Sequence, residues 1–278
     1  MAGIEETETE ASSEEVDASE GWERRSLTAP LSLLDGVEAA VCAVLGISST
    51  RHRSALLTLG GRPTFSAAMV GAVYGAIAAN WARYRTECAP TRSTANWRWR
   101  VPQLAIAEHN ASPEVRLERA LMNACERQGR NDWSNQVPVA SGVGGPSRQR
   151  RRAIDLVHQR GPGHFQLIEL KIASDTPLYA AIEIIGYTVI WLLSRDEGSD
   201  NPLLSAQRID ARVLAPASYY ARYDLGALAR LLDDELAALG ARHHVTLSFG
   251  FEQFPDDLTD LPYSDERLLA VLNGRRPI

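Results

Sequence analysis

Lysine is nearly missing from this chain: of its 29 basic residues, Lys171 is the only lysine and the other 28 are arginine. Arginine is a planar fork, whereas lysine is a compact point charge on a flexible stem, so a tight site does not accept one for the other. Cysteine is scarce too. The three cysteines, Cys42, Cys88 and Cys125, have no metal-ligand spacing and lie in apolar surroundings. That excludes a zinc module or a disulfide framework and fits a reduced, cytoplasmic chain. No internal repeat is present, which excludes solenoid architectures. Basic residues are absent from the first twenty positions, which carry eight acids. A targeting segment needs the opposite charge, and so polar a stretch is expected to be disordered. Without those acids the remainder holds 29 basic against 27 acidic residues, a net +2 in place of −6. Long uncharged apolar runs are also missing. Asn80, Arg83 and Arg85 close the run in 65–87, and Glu183 interrupts the one that begins at Pro177. A charge inside such a run is costly in lipid, so no membrane partner is expected.

What is present divides the chain into three: 1–20, an acidic tail; 21–110, a mainly helical N-terminal region; and 111–278, an α/β domain. Apolar patterning predicts helices over 31–47 and 65–87, a polar break over 48–53 and a linker over 88–96. Trp97, Arg98, Trp99 and Arg100 alternate as on a strand, with both Trp on one face. Base stacking suits that pattern, and inward packing of the Trp suits it as well. Ser112, Pro113 and Glu114 open a helix in the preferred manner, with Ser as N-cap, Pro at the first position and an acid in the first turn. A strand follows over 136–141, then a Gly-rich loop over 142–147.

Residues 150–191 organise the rest. Two short apolar runs flank Gly161, Pro162 and Gly163, a hairpin signal. Charges interrupt those runs at Asp155, Glu169 and Lys171. Alternation along a strand points Glu169 and Lys171 the same way, and the hairpin can bring Asp155 alongside. Unpaired buried charge is expensive, so this set needs a reason. A hairpin salt bridge is one; a catalytic site is the other. Thr176 and Pro177 start a further helix, apolar almost all round, on which Tyr179, Glu183, Tyr187 and Trp191 share one row at spacing four. A strand over 212–214, a helix over 224–239 and an alternating strand over 244–251 complete the order α-β-β-β-α-β-α-β, and a short helix over 264–273 follows.

Asp155, then Glu169-Leu170-Lys171 after a turn, resembles the signature of the PD-(D/E)XK nuclease superfamily. Ile154 stands where the family signature has Pro. Glu183 and Tyr187, at i and i+4 on the next helix, are similar to the Gln-xxx-Tyr motif of the RecB-like branch, with Glu in place of Gln. The resemblance covers about residues 112–252. It implies a restriction-endonuclease-like fold: a central mixed sheet flanked by helices, here with an N-terminal helical extension. It also implies a metal-dependent nuclease, with Mg²⁺ or Mn²⁺ held by Asp155, Glu169 and the Leu170 carbonyl. Lys171 then orients the attacking water and offsets transition-state charge. The family often carries an acid on the first helix, for which Glu118 is the candidate and Glu114 the next. Glu183 and Tyr187 complete the expected catalytic set. Arg148, Arg150, Arg151 and Arg152 lead into the Asp155 strand and suit a phosphate backbone. The expected partner is nucleic acid, DNA ahead of RNA, and a homodimer is compatible. The alternative is a non-catalytic nucleic-acid- or protein-binding module that keeps the nuclease-like fold.

Overall fold

The Gly161 to Gly163 turn does make a hairpin, and it forms the middle of a six-stranded sheet. The computed structural model describes residues 32–60, 68–87, 96–108, 110–142, 152–195, 201–255 and 263–278. The acidic tail over 1–20, all but the last residue of the linker over 88–96 and most of the Gly-rich loop lie outside them.

Three helices come first: α1 (Val37–Leu45), α2 (Arg53–Gly60) and α3 (Met69–Glu87). Next are α4 (Pro113–Arg127), β1 (Trp133–Pro138), β2 (Ala153–Gly161), β3 (His164–Leu170) and α5 (Pro177–Ser194). The chain ends with β4 (Arg208–Pro216), α6 (Ala217–Tyr220), α7 (Gly226–Arg242), β5 (Thr246–Phe254), α8 (Asp265–Asn273) and β6 (Arg276–Pro277). Sheet order follows chain order. β1, β2 and β3 run antiparallel, β3, β4 and β5 run parallel, and β6 returns antiparallel. Parallel neighbours need a crossover, and α5 and α7 supply the two. This is an α/β protein with a mixed sheet flanked by helices.

The local signals explain the elements. The Ser112 hydroxyl accepts from Val115 N, with Pro113 in the first turn. The Thr176 hydroxyl accepts from Tyr179 N, with Pro177 after it. Each such cap satisfies a backbone donor that the helix leaves unpaired and contributes about 1 kcal/mol. Gly163 sits at φ 66, in the left-handed region that the hairpin turn requires.

Strand alternation sends side chains to two apolar clusters. Val157 and Leu167, paired across β2 and β3, join the cluster containing α1, α3, α5 and α7. Leu156 and Ile168, the next pair, join the cluster under α4 and α8. The helices that precede residue 110 therefore pack into the same core as one face of the sheet. Helix α5 is central to it, with Trp191 fully buried and its indole N–H donating to Leu203 O at 2.8 Å. α5 is also long and apolar enough to cross a membrane, but 83% of it is buried inside the protein, which accounts for its all-round apolarity.

Several boundaries differ from expectation. The strand expected over 136–141 instead spans Trp133–Pro138. Its first half is polar yet buried at Ser134 and Asn135, so the alternation that marks a strand is hidden there. Trp97 to Arg100 is not a strand: Trp97 takes φ 64. The facing was right all the same. Both Trp are buried, and Trp99 meets Phe165 edge-to-face at 5.1 Å, so neither is available for base stacking. Helix α2, the one-turn α6 and β6 fall where no element was expected. Helix α1 begins late because Ser32 is occupied in a bridge to Gly142 and Gly36 takes a left-handed turn.

Candidate active site

The pairing of Leu156 with Ile168, continued by one residue, sets Asp155 opposite Glu169 on the α5 side of the sheet. Lys171 follows just beyond β3, its N–H held by Leu214 O at 2.9 Å. A polar cleft of about 500 Å³ opens at this end of the hairpin. Asp155, Glu169, Leu170, Lys171, Glu183, Tyr187 and Arg152 all line it. Seven of the residues singled out in the sequence therefore share one water-accessible space.

Hydrogen bonds fix the geometry. The Lys171 ammonium donates to Glu169 Oε1 at 2.7 Å and reaches Glu183 Oε2 at 3.5 Å. Glu183 Oε1 accepts from Arg152 at 3.1 Å and from the Tyr187 hydroxyl at 3.0 Å. Asp155 Oδ2 accepts from the Leu170 N–H at 2.9 Å. Two carboxylate oxygens are left over. Glu169 Oε2 is buried and has no hydrogen-bond partner, and no partner of Asp155 Oδ1 is found among the described residues.

The charges strain against one another. Burial pushes the Asp155 carboxyl up to about 6, with the nearby Lys171 cation and the Leu170 N–H pulling back. Burial and the facing Asp155 and Glu183 carboxylates raise Glu169 well above the usual range. Burial works against the Lys171 cation, but the surrounding carboxylates prevail and hold its pKa above the ordinary value. Three carboxyl groups, Asp155, Glu169 and Glu183, thus crowd round one ammonium.

The structure separates the two acids of α4. Glu118, the first candidate, does not line the cleft. Helix α4 packs on the opposite face of the sheet, with Leu117 and Leu121 beside Leu156 and Ile168. Glu118 is buried there and engaged by Arg119, by Asn135 at 2.6 Å and by Gln136 at 2.9 Å. Burial and the charge of Asp155 push it up to about 7, so it senses the site without facing it. Glu114 does line the cleft. It accepts from Ser174 at 2.8 Å and from Ile172 N at 3.3 Å.

Of the four arginines assigned to phosphate binding, Arg152 is on the cleft wall; Arg148, Arg150 and Arg151 lie outside the described residues. Sequence reasoning missed Arg51, Gln136 and Asp175, which also line the cleft. Arg51 lies 3.7 Å over the Tyr179 ring and pairs with Asp175 at 2.9 Å. Nothing local marks Arg51 as a cleft residue, since Tyr179 and Asp175, which hold it there, are far along the chain. Gln136 did carry a signal that only coordinates reveal. It takes φ 47, a strained conformation for a residue with a side chain, and bridges the cleft to Glu118.

No cluster of three or more His, Cys, Asp or Glu side chains suited to a metal occurs among the described residues. A hard divalent cation does not need one. Mg²⁺ keeps several waters and binds through one or two carboxylates. Asp155 and Glu169, each with an oxygen left over, fit such an ion. Comparison with protein-family models, with curated proteins and with solved structures finds no match for this chain.

Proposed function

We propose that this protein is a metal-dependent nuclease with a restriction-endonuclease-like core that hydrolyses phosphodiester bonds, with DNA as its substrate, in the cytoplasm. The observation that carries the reading is the convergence of Asp155, Glu169 and Lys171 on one open cleft, with a buried oxygen of Glu169 left without a donor. The mixed sheet with α5 crossing from β3 to β4 is compatible with that core. The resemblance of Asp155 and Glu169-Leu170-Lys171 to the PD-(D/E)XK signature supplies the reaction class.

The chemistry follows from the residues. Hydrolysis joins a water oxygen to phosphorus and breaks the bond from phosphorus to one sugar oxygen. Asp155 and Glu169 would hold Mg²⁺ or Mn²⁺, which when bound supplies a Lewis acid and an activated water. Lys171, preorganised by Glu169 and Glu183, is placed to orient the water and offset charge gathering on the phosphoryl oxygens. Glu183 and Tyr187 hold the lysine side of the cleft in place. Arg152 and Arg51 on the walls would meet the flanking phosphates.

A binding module that keeps the fold without the reaction is the second reading. The 2.7 Å contact of Lys171 with Glu169 favours it, because it engages the lysine in an ion pair within the protein. Incubation of the full chain with linear and circular DNA separates the two, in Mg²⁺ and in EDTA, beside Lys171→Ala and Asp155→Asn. The nuclease cuts only as wild type with metal. Salt-sensitive binding that ignores metal, with no cutting, supports the module. Equal cutting by wild type and variants removes the proposed site.

A further inference from the structure

The cleft does not stop at Glu183. A second cavity of about 490 Å³ continues beyond it, a volume suited to a small ligand. Arg51, Arg152, Tyr179 and Glu183 line both spaces, so the two meet along these four side chains. Their chemistry differs. The first is polar and holds the carboxylates and Lys171. The second is walled largely by Leu34, Val37, Cys42 and Ile182. Asp35 and Glu38 also line it, where Asp35 accepts from Ser32 N and Glu38 from Ser49 and Thr50, and their charge would repel a phosphate. Two guanidiniums stand at the junction, one fixed on the Tyr179 ring and the other on Glu183.

A polar space for a phosphate, then cations, then a largely apolar pocket matches one nucleotide read from its phosphate to its base. We infer that the second cavity takes a single unpaired nucleobase of the substrate strand, next to the phosphate in the cleft. The inference rests on the nuclease reading and narrows it. A base stacked in a duplex cannot enter such a pocket without leaving its partner, and extrusion costs several kcal/mol. Single strands and frayed ends present that base freely. The favoured substrate is therefore single-stranded DNA or a strand end, and intact duplex is disfavoured.

Cys42 lines the pocket and is half-buried, whereas Cys125 is sealed in the core, so thiol alkylation reports on occupancy. The full chain is treated with N-ethylmaleimide, alone or with a single-stranded oligonucleotide or the matching blunt duplex. Ca²⁺ is present in one series and EDTA in another, and labelling is mapped by peptide mass spectrometry. The single strand should slow Cys42 labelling at least about fivefold, and the duplex should leave it unchanged. Ala39 is exposed at the pocket wall. Ala39→Trp should fill the space and weaken single-strand binding about tenfold, the equivalent of ~1.4 kcal/mol, with its melting temperature unchanged. Equal protection by both DNAs, no protection in either series, or undiminished binding by Ala39→Trp overturns the inference. Cutting without protection removes the base pocket alone. Protection without cutting removes the catalytic reading alone.

Discussion

Replacing Asp155 by asparagine removes one negative charge from a cleft that also holds Glu169 and Glu183. The amide oxygen of asparagine can still accept from Leu170 N–H, so the hairpin contact survives. The folded protein raises this carboxyl from an ordinary 3.8 to about 6. A group raised in the fold is favoured there when protonated, so its ionisation costs stability as pH rises through about 6. At about 1.4 kcal/mol per tenfold, the full cost above that pH is ~3 kcal/mol. Asp155→Asn escapes it. The variant should therefore be more stable than wild type by ~3 kcal/mol at pH 8, by roughly half that at pH 5, and by nothing below about pH 4. Urea denaturation in EDTA across this range measures the difference. Saturating Mg²⁺ should stabilise wild type and leave the variant unmoved, which narrows the gap. The variant should also fail to cut DNA, and gained stability with lost activity is what a site assembled for chemistry gives. A variant no more stable than wild type at pH 8 would refute the argument that burying this charge costs the fold stability.

Lys171→Met leaves Glu169 and Glu183 without their shared cation. It should cost ~3–5 kcal/mol in urea denaturation, and Asp155→Asn in the same chain should recover part of that loss. Glu114→Ala removes the acceptor for Ile172 N and Ser174. Its expected cost is ~1–2 kcal/mol, with a reduced cleavage rate because the segment after β3 loses its anchor. Gly240→Ala would place a Cβ 2.7 Å from Val245 O and 2.9 Å from Leu247 Cγ. It should lower stability by ~1–3 kcal/mol, visible as a lower melting temperature, because α7 packs there against the start of β5.

The hairpin and the helix after it were legible because their signals are local. A Gly-Pro-Gly turn, period-two apolar runs and two Ser or Thr caps followed by Pro each act within a few residues. The meeting of Asp155 with Glu169 and Lys171 was legible for the same reason, since a hairpin register fixes which residues share a face. Glu118 was misplaced because a helix wheel says which residues face inward but not which side of the sheet the helix covers. α4 covers the far side, and only its first turn, with Glu114, reaches round to the cleft. Arg51 and the second cavity were invisible because they arise where α1 and the turn after it meet α5, a contact between segments more than a hundred residues apart. The strand from Trp133 was half hidden because Asn135 and Glu118 bury polar groups against each other. Hydrogen-bonded burial of that kind leaves no apolar mark in a sequence.

The central claim is that Asp155 and Glu169 hold one hard divalent cation beside Lys171. Titration of the full chain with Mn²⁺, followed by the electron paramagnetic resonance of the free ion, tests it most directly. Wild type should take up one Mn²⁺ that Mg²⁺ displaces, and Asp155→Asn and Glu169→Gln should each lose it. Uptake that survives both substitutions, or no uptake by wild type, would contradict the account.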